Sequence, residues 1–355
     1  MLILVLNPGS TSTKIAVFKD RESIFGYNIR HSAEEIAKYP NVYSQFQFRK
    51  EAIISTLQKN DINLSKVEVV IGRGGLCKPI PSGVYRVNEQ MMEDLKNCYS
   101  GEHASNLGAL LAYQIAKEIG PNVPSFIADP VVVDEYEPIA RFSGAAAIQR
   151  TSIFHALNQK AIAKKHAHNL GTSYDKLNVI VVHLGGGVSV GIHKQGRVVD
   201  VNNALLGEGP FSPDRAGGVP AKNLIDICFD GNHTKEEVIG MIIGGGGVIS
   251  YVGTNSFQDV SKAAEEGDTK AKEVVEAFVY QVAKEIGSMA TVVCGKVDAI
   301  LLTGGIAYND KLTNMIKERV SFIAPVNVYP GEDEMGALAS NAYSVMTGKE
   351  AAKEY

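Results

Sequence analysis

The sequence predicts an α/β protein of two lobes, and three observations predict it. Strand-like apolar runs alternate with helix-like segments from one end to the other. A strand–turn–strand pattern around Gly9 has a near-echo around Gly185, about half the chain later. No low-complexity segment or long linker separates the halves, so the lobes are expected to share a cleft. A chain of 355 residues, 45% of them hydrophobic, has ample material for more than one core.

The elements follow in order. "LNPGSTSTKIAV" (6–17) joins two apolar runs through Asn7-Pro8-Gly9 and a series of small hydroxyl residues. "VEVVIGRGG" (67–75) and "PSFIAD" (124–129) read as buried strands. Between them, "EHASNLGALLAYQIAKEIG" (102–120) reads as a helix, with Leu107, Leu111 and Ile115 at four-residue steps. In the second half "NVIVVHLGGGVSVGI" (178–192) repeats the opening pattern. A long helix is expected over roughly 268–294, with Val275, Val279, Val282, Ile286 and Met289 on one face. "KVDAILLTGG" (296–305) is a buried strand, and a last helix starts near Glu334 and stops around Gly348.

Composition excludes several functions. Net charge is -4, from 39 acidic and 35 basic residues without a long like-charge run, so neither nucleic acid nor an anionic membrane is an expected partner. Cys77, Cys98, Cys228 and Cys294 lack C-x-x-C spacing, which argues against zinc or a disulfide framework and for a reducing cytosol. The opening MLILVL has no basic flank and stops at Asn-Pro-Gly, so it is not read as a signal peptide. No apolar stretch approaches the ~20 residues of a membrane span. A soluble, cytoplasmic protein is expected.

The loops carry the chemistry. "NPGSTSTK" is either a turn, needing Asn, Pro and Gly for its backbone angles, or a phosphate cradle of N–H groups and hydroxyls with Lys14 adding charge. It is not a Walker A loop, because no second glycine precedes Lys14 and a strand follows. "HLGGGVSV" (183–190) is a second glycine turn, and "LLTGGIAYND" (301–310) places paired glycines after a buried strand, just before a helix near Asn309. Three such loops in echoing halves favour a nucleotide held between the lobes.

These motifs stand in the order of the two phosphate motifs and the adenosine motif of the actin-like ATPase superfamily. Within it the chain resembles the acetokinase family almost end to end. "NPGSTSTK", "GRGGLCKPI", "GEHASNLGALLA", "RTSIFHALNQKAIA" and "PDRAGG" look most like its butyrate-using branch. The resemblance implies a two-lobed actin-like fold of duplicated ribonuclease H-like βββαβα domains around a central cleft. One lobe would span 1–148 plus 336–355 and carry the acyl substrate; the other, 149–335, would carry the second phosphate loop and adenosine. Hinges would fall near 145–152 and 330–336, and the last helix would cross back onto the first lobe. It also implies a homodimer or larger homo-oligomer.

The implied reaction is transfer of the γ-phosphoryl group of MgATP to butyrate or a similar short or branched fatty acid, giving an acyl phosphate and ADP. A carboxylate with a pKa near 4.3 is already ionised at pH 7, so no general base is required, but positive charge is. Arg73 and Arg215 match the family's active-site arginines, and both are set in glycine-rich loops. His155 and His183 match histidines near the transferring phosphoryl group, with His155 expected to donate a hydrogen bond; His103 matches one near the substrate or serves as a structural hydrogen-bonder. Asn7, Ser10, Ser12, Lys14, Gly185, Gly186, Gly187, Gly304, Gly305 and Asn309 are the implied nucleotide contacts. Asp129 and Glu334 match the carboxylates that organise magnesium. Asp129 is alternatively a cap for its own loop, and Glu332 or Asp333 stands in for Glu334 if the alignment slips. Where acetate-using members carry valine, this chain has Gly75, expected to open room for a longer acyl tail against Phe154. At ~0.8 kcal/mol per methylene, discrimination between neighbouring chain lengths is expected to be modest.

Two other readings stand beside this one. A sugar or polyol kinase would need an aspartate base, which Asp129 would have to supply, and would leave both arginines unexplained. An actin-like ATPase module would need a separate partner-binding domain, for which no segment is evident.

Overall fold

β1 (Leu2–Pro8) and β2 (Ser12–Lys19) form the opening hairpin, with Pro8 opposite Thr13 and Asn7 opposite Lys14. They are strands because Ile3 to Leu6 and Ile15 to Val17 are apolar and buried, and the Asn-Pro-Gly corner ends the first run. The computed structural model describes all 355 residues. They divide into two compact units, Met1–Val133 with Asp333–Tyr355, and Asp134–Glu332.

The first unit continues with β3 (Glu22–Arg30), β4 (Val69–Arg73), β5 (Val84–Arg86) and β6 (Ser125–Ala128). The sheet order is β3-β2-β1-β4-β6-β5, with β1, β4 and β6 parallel. Its core joins Leu4, Leu6, Val17 and Val70 to Leu107, Leu111 and Ile115 of the helix Asn106–Ile119 and to Ile53 and Leu57 of the helix Phe46–Lys59. The helix Glu334–Met346 packs on β1 and β4. Lys353, beyond it, pairs with the outer edge of β5: its N–H donates to Val84 O at 2.8 Å, and its carbonyl accepts from Arg86 N at 3.0 Å.

The second unit begins earlier than the boundary expected at 148. Asp134 pairs with Arg141, and Glu135 pairs with Lys160 at 2.6 Å, so both carboxylates belong to this unit. The segment expected as a hinge is a short hairpin, β7 (Phe142–Ala145) with β8 (Ile148–Gln149). The main sheet comprises β9 (Asn178–Leu184), β10 (Val188–Lys194), β11 (Arg197–Val201), β12 (Ala299–Gly304) and β13 (Val326–Pro330), in the order β11-β10-β9-β12-β13. β9, β12 and β13 are parallel. The helix Thr269–Val292, capped by Asp268, lays Val275, Val279, Val282 and Ile286 on this sheet. Each fully buried side chain of this size contributes about 1.5–3 kcal/mol.

The two main sheets share a five-strand plan, an antiparallel meander of three followed by two strands parallel to the last of them, and the first sheet adds β5 antiparallel at its edge. The repeat expected from Gly9 and Gly185 is therefore a repeat of topology. In each unit the C-terminal ends of the parallel strands lie side by side, with Asn7, Arg73 and Asp129 at or next to them in the first and His183 and Gly304 in the second. No helix is long and apolar enough to cross a membrane.

Candidate active site

In the first unit, three side chains meet at the strand ends. Asn7 Nδ2 donates to Glu334 Oε2 at 2.7 Å. Arg73 Nη1 lies 3.2 Å from Glu334 Oε1 and 3.4 Å from Asn7 Oδ1. Nε and Nη2 of Arg73 make no protein bond, which leaves one edge of the guanidinium for a carboxylate or phosphoryl group. Lys14, directly across the hairpin from Asn7 and hence on its face, is exposed and has no acidic partner. The Ser10 and Ser12 hydroxyls make no bond to protein.

The loop that presents those hydroxyls is held from below by Arg49, which is 0% exposed. Arg49 Nη1 donates to Gly9 O at 2.8 Å, Ser12 O at 3.1 Å and Thr13 Oγ1 at 3.1 Å, while Nη2 donates to Ser10 O at 3.1 Å. Its remaining partner is Gln45 Oε1, and it has no carboxylate counterion. Burial pushes this guanidinium down to about 10. With its carbonyls turned inward to Arg49, the loop is free to offer N–H groups and hydroxyls outward.

In the second unit the glycine turn after β9 is crowded by side chains. His155 and His183 stack with ring centroids 3.7 Å apart and planes 10° from parallel. His183 Nδ1 is 2.9 Å from Asn158 Oδ1, and its Nε2 is 3.2 Å from Glu332 Oε1. Arg215 Nη1 donates to Ala204 O at 2.8 Å, and Nε lies 3.7 Å from Asp214. Burial lowers the pKa of Arg215, with Asp214 acting against it. A Cβ on Gly187 would stand 2.2 Å from Arg215 Nη1 and 3.1 Å from His155 Cε1, so only glycine lets both groups close on the turn. Beside it opens a cavity of about 850 Å³, lined by Gly185, Gly186, Gly305, Tyr308, Asn309 and Lys311 among others. That volume is in the range of small-molecule sites. Asn309 also caps the helix Asp310–Val320, accepting from Leu312 N at 3.1 Å.

Residues 141–328 match the model of the acetokinase family. Butyrate kinase 1 of Clostridium acetobutylicum is 56% identical over 353 residues, 99% of each chain, and butyrate kinase 2 of the same organism is 54% identical over the same span. The chain belongs to the acetokinase family. The crystal structure of Porphyromonas gingivalis acetate kinase superposes with a TM-score of 0.81 at 17% identity, covering 97% of this chain and 99% of that one, so the fold is the two-domain actin-like ATPase fold of such kinases.

Several expected site residues land differently from expectation. Gly75 does not open a void. A Cβ there would lie 2.5 Å from Asn106 Cα and 2.6 Å from Asn106 Oδ1, because the start of the helix Asn106–Ile119 fills the space and accepts from Leu76 N. Phe154 is 2% exposed and has almost no surface to offer a ligand. Both nitrogens of His183 are engaged, so this ring orients Glu332 and supports His155. His103 Nδ1 accepts from Ser105 N at 3.1 Å in the turn before its helix. Asp129, 3% exposed with φ +40, takes the Ser82 hydroxyl at 2.6 Å and Gly83 N at 2.9 Å on Oδ1, which braces its own loop. The three neighbouring acids have separate tasks. Glu332 pairs with His183, Asp333 caps the last helix by accepting from Gly336 N at 2.8 Å, and Glu334 joins Asn7 and Arg73.

Arg49 is the functional side chain that motif reading passed over. Gln45, Arg49, Ile53 and Leu57 are all buried at four-residue steps, so an arginine in the apolar stripe of the helix was the available signal.

Proposed function

We propose that this member of the acetokinase family phosphorylates butyrate with ATP, forming butanoyl phosphate and ADP reversibly. The observation that carries the reading is Arg215, a partly buried cation set against the glycine turn, with one carbonyl bond and Asp214 no nearer than 3.7 Å. Such a group gains most from an arriving anion, and a transferring phosphoryl group is one. The names of the two Clostridium relatives, matched over 99% of the chain, point to butyrate as the acceptor.

The acid arrives ionised, so its own oxygen attacks the γ-phosphorus without a base. The free edge of Arg73 binds and orients the carboxylate, while Arg215 and an N–H of His155 offset charge on the phosphoryl oxygens. Gly185, Gly186, Gly305 and Asn309 line a cavity suited to the nucleotide. Ser10, Ser12 and Lys14 supply donors for phosphate.

Nowhere do three or more His, Cys, Asp or Glu side chains gather to hold a metal. Asp129, just after β6, and Glu334, the first residue of the last helix, are instead single carboxylates, each already bonded to protein. That donor set fits a largely hydrated magnesium carried in by ATP, whose chemistry would be to neutralise phosphate charge.

The test is hydroxamate formation from MgATP, butyrate and hydroxylamine. A butyrate-dependent hydroxamate is the expected result. ATP loss at the same rate with the acid left out would overturn the reading.

A further inference from the structure

Under His155 a file of polar side chains runs through the interior of the second unit: Ser189, Gln159, His193 and Tyr174. Ser189, Gln159 and His193 are each 0% exposed. Their hydrogens can be assigned from one fixed point, a backbone carbonyl. Gln159 Nε2 lies 3.1 Å from Ser189 O, which only accepts, so that end of the amide must be the NH₂ group. Its other hydrogen goes to Ser189 Oγ at 2.8 Å.

The opposite end of the amide is then the carbonyl oxygen, 2.9 Å from His193 Nε2, and His193 must carry a hydrogen on that nitrogen. Complete burial holds His193 well below the usual histidine range, and the charge of Lys160 adds to this, so the ring is neutral. Its Nδ1 is therefore an acceptor, and the Tyr174 hydroxyl, 2.6 Å away, donates to it.

Followed the other way, the file reaches the active site. Ser189 Oγ has accepted from Gln159 and still has its own hydrogen to give. His155 Nδ1, at 2.8 Å, is the acceptor within reach. If His155 instead carried its proton on Nδ1, the buried Ser189 hydrogen would have nowhere to go. Stacking on His183 fixes the plane of the His155 ring, and Ser189 fixes which nitrogen bears the proton.

We propose that Ser189, Gln159, His193 and Tyr174 are positioning residues that set the tautomer of His155, keeping its N–H on Nε2. The opposite tautomer would turn a lone pair, not a donor, toward a phosphoryl oxygen. The catalytic consequence rests on the reading of His155 as a donor to the transferring group; the tautomer itself does not.

The experiment is a long-range ¹H–¹⁵N correlation spectrum of the histidine-labelled protein, with His155 assigned by its loss in His155→Gln. The native protein should show His155 protonated on Nε2 and unprotonated on Nδ1. In Ser189→Ala the two nitrogens should move toward a mixed tautomer, with kcat lowered about tenfold and the KM for ATP within about twofold, the scale of one neutral hydrogen bond. Tyr174→Phe, at the far end of the file, should move the same resonances less. A native His155 protonated on Nδ1, or an unchanged tautomer in both variants, overturns the proposal. A tautomer that shifts in Ser189→Ala without loss of hydroxamate formation upholds the file and removes His155 from the reaction.

Discussion

The turn after β1 and the turn after β9 occupy the same place in one topology, yet they are made rigid in opposite ways. The first, residues 9–12, is gripped from beneath by the buried Arg49, which takes up its carbonyls. The second, residues 185–187, is pressed from outside by Arg215 and His155, which glycine alone leaves room for. In the first, the cation is structural: it takes the loop's carbonyls and leaves the Ser10 and Ser12 hydroxyls without a protein partner. In the second, on the function proposed above, the cation is itself the ligand-binding group, and the loop makes room for it. A shared fold therefore fixes where an anion site can lie, but not which atoms supply its charge.

Removing each device separately tests that contrast. Arg215→Ala should lower kcat by about 10³-fold while leaving thermal stability near native, since the guanidinium acts on the transferring charge; single-turnover kinetics would check it. Gly187→Ala should cost on the order of 10²-fold in kcat by displacing Arg215 and His155 from the turn, with less effect on the KM for butyrate. Arg49→Met should behave differently. It strands the Gly9 and Ser10 carbonyls at about 1–3 kcal/mol per buried unsatisfied group, so the loss should appear first as a lower Tm and a higher KM for ATP, measured by calorimetry and initial rates. A native Tm in that variant would remove Arg49 from its place in the contrast.

Gly75→Ala sharpens the point at a smaller scale. The added methyl meets the Asn106 backbone, so about 1–3 kcal/mol of stability should be lost with the butyrate-to-acetate rate ratio unchanged. A changed ratio at native stability would restore Gly75 to the acyl pocket.

The smallest expected effect is on pH dependence. The pKa values of His31, bonded to Thr13 at the start of β2, and His193, in the file under the second turn, are both lowered by burial; nearby Arg49 and Lys160 lower them further, with Glu35 acting against this at His31. The unfolded chain takes up protons near pH 6.5 that the folded chain refuses. Stability should thus be full above that pH and decline as pH falls toward the folded values. Differential scanning calorimetry between pH 7.5 and 5.5 should show a falling Tm, with a shallower slope in His31→Gln. An identical slope in that variant would separate His31 from the effect.

Much of this was legible in the sequence. β1, β4, β9 and β12 announce themselves as apolar runs, and the helix over 268–294 forms as Thr269–Val292 because its apolar face repeats at helical steps. β3 was not legible. It lies at the sheet edge with Ile24 and Tyr27 half exposed, so no alternation marks it. Arg73, Asn7 and Glu334 were readable from motifs, and the structure brings these three together. What motifs cannot carry is contact at a distance along the chain. The Asn106 that fills the space beside Gly75, the Arg49 beneath a loop some 40 residues earlier, and the Gln159 between two strand residues are all products of tertiary packing.

The pairing of Lys353 with β5 bears on how the first unit survives at high concentration. β5 is the last strand of its sheet, and a bare rim of N–H and C=O groups invites another chain to add on. Here the polypeptide's own tail covers that rim, and the Tyr355 hydroxyl anchors it by donating to Asp94 Oδ2 at 2.8 Å. Clipping residues 352–355 should leave the strands in place but uncover the rim, and light scattering would then rise with protein concentration as the rims find one another.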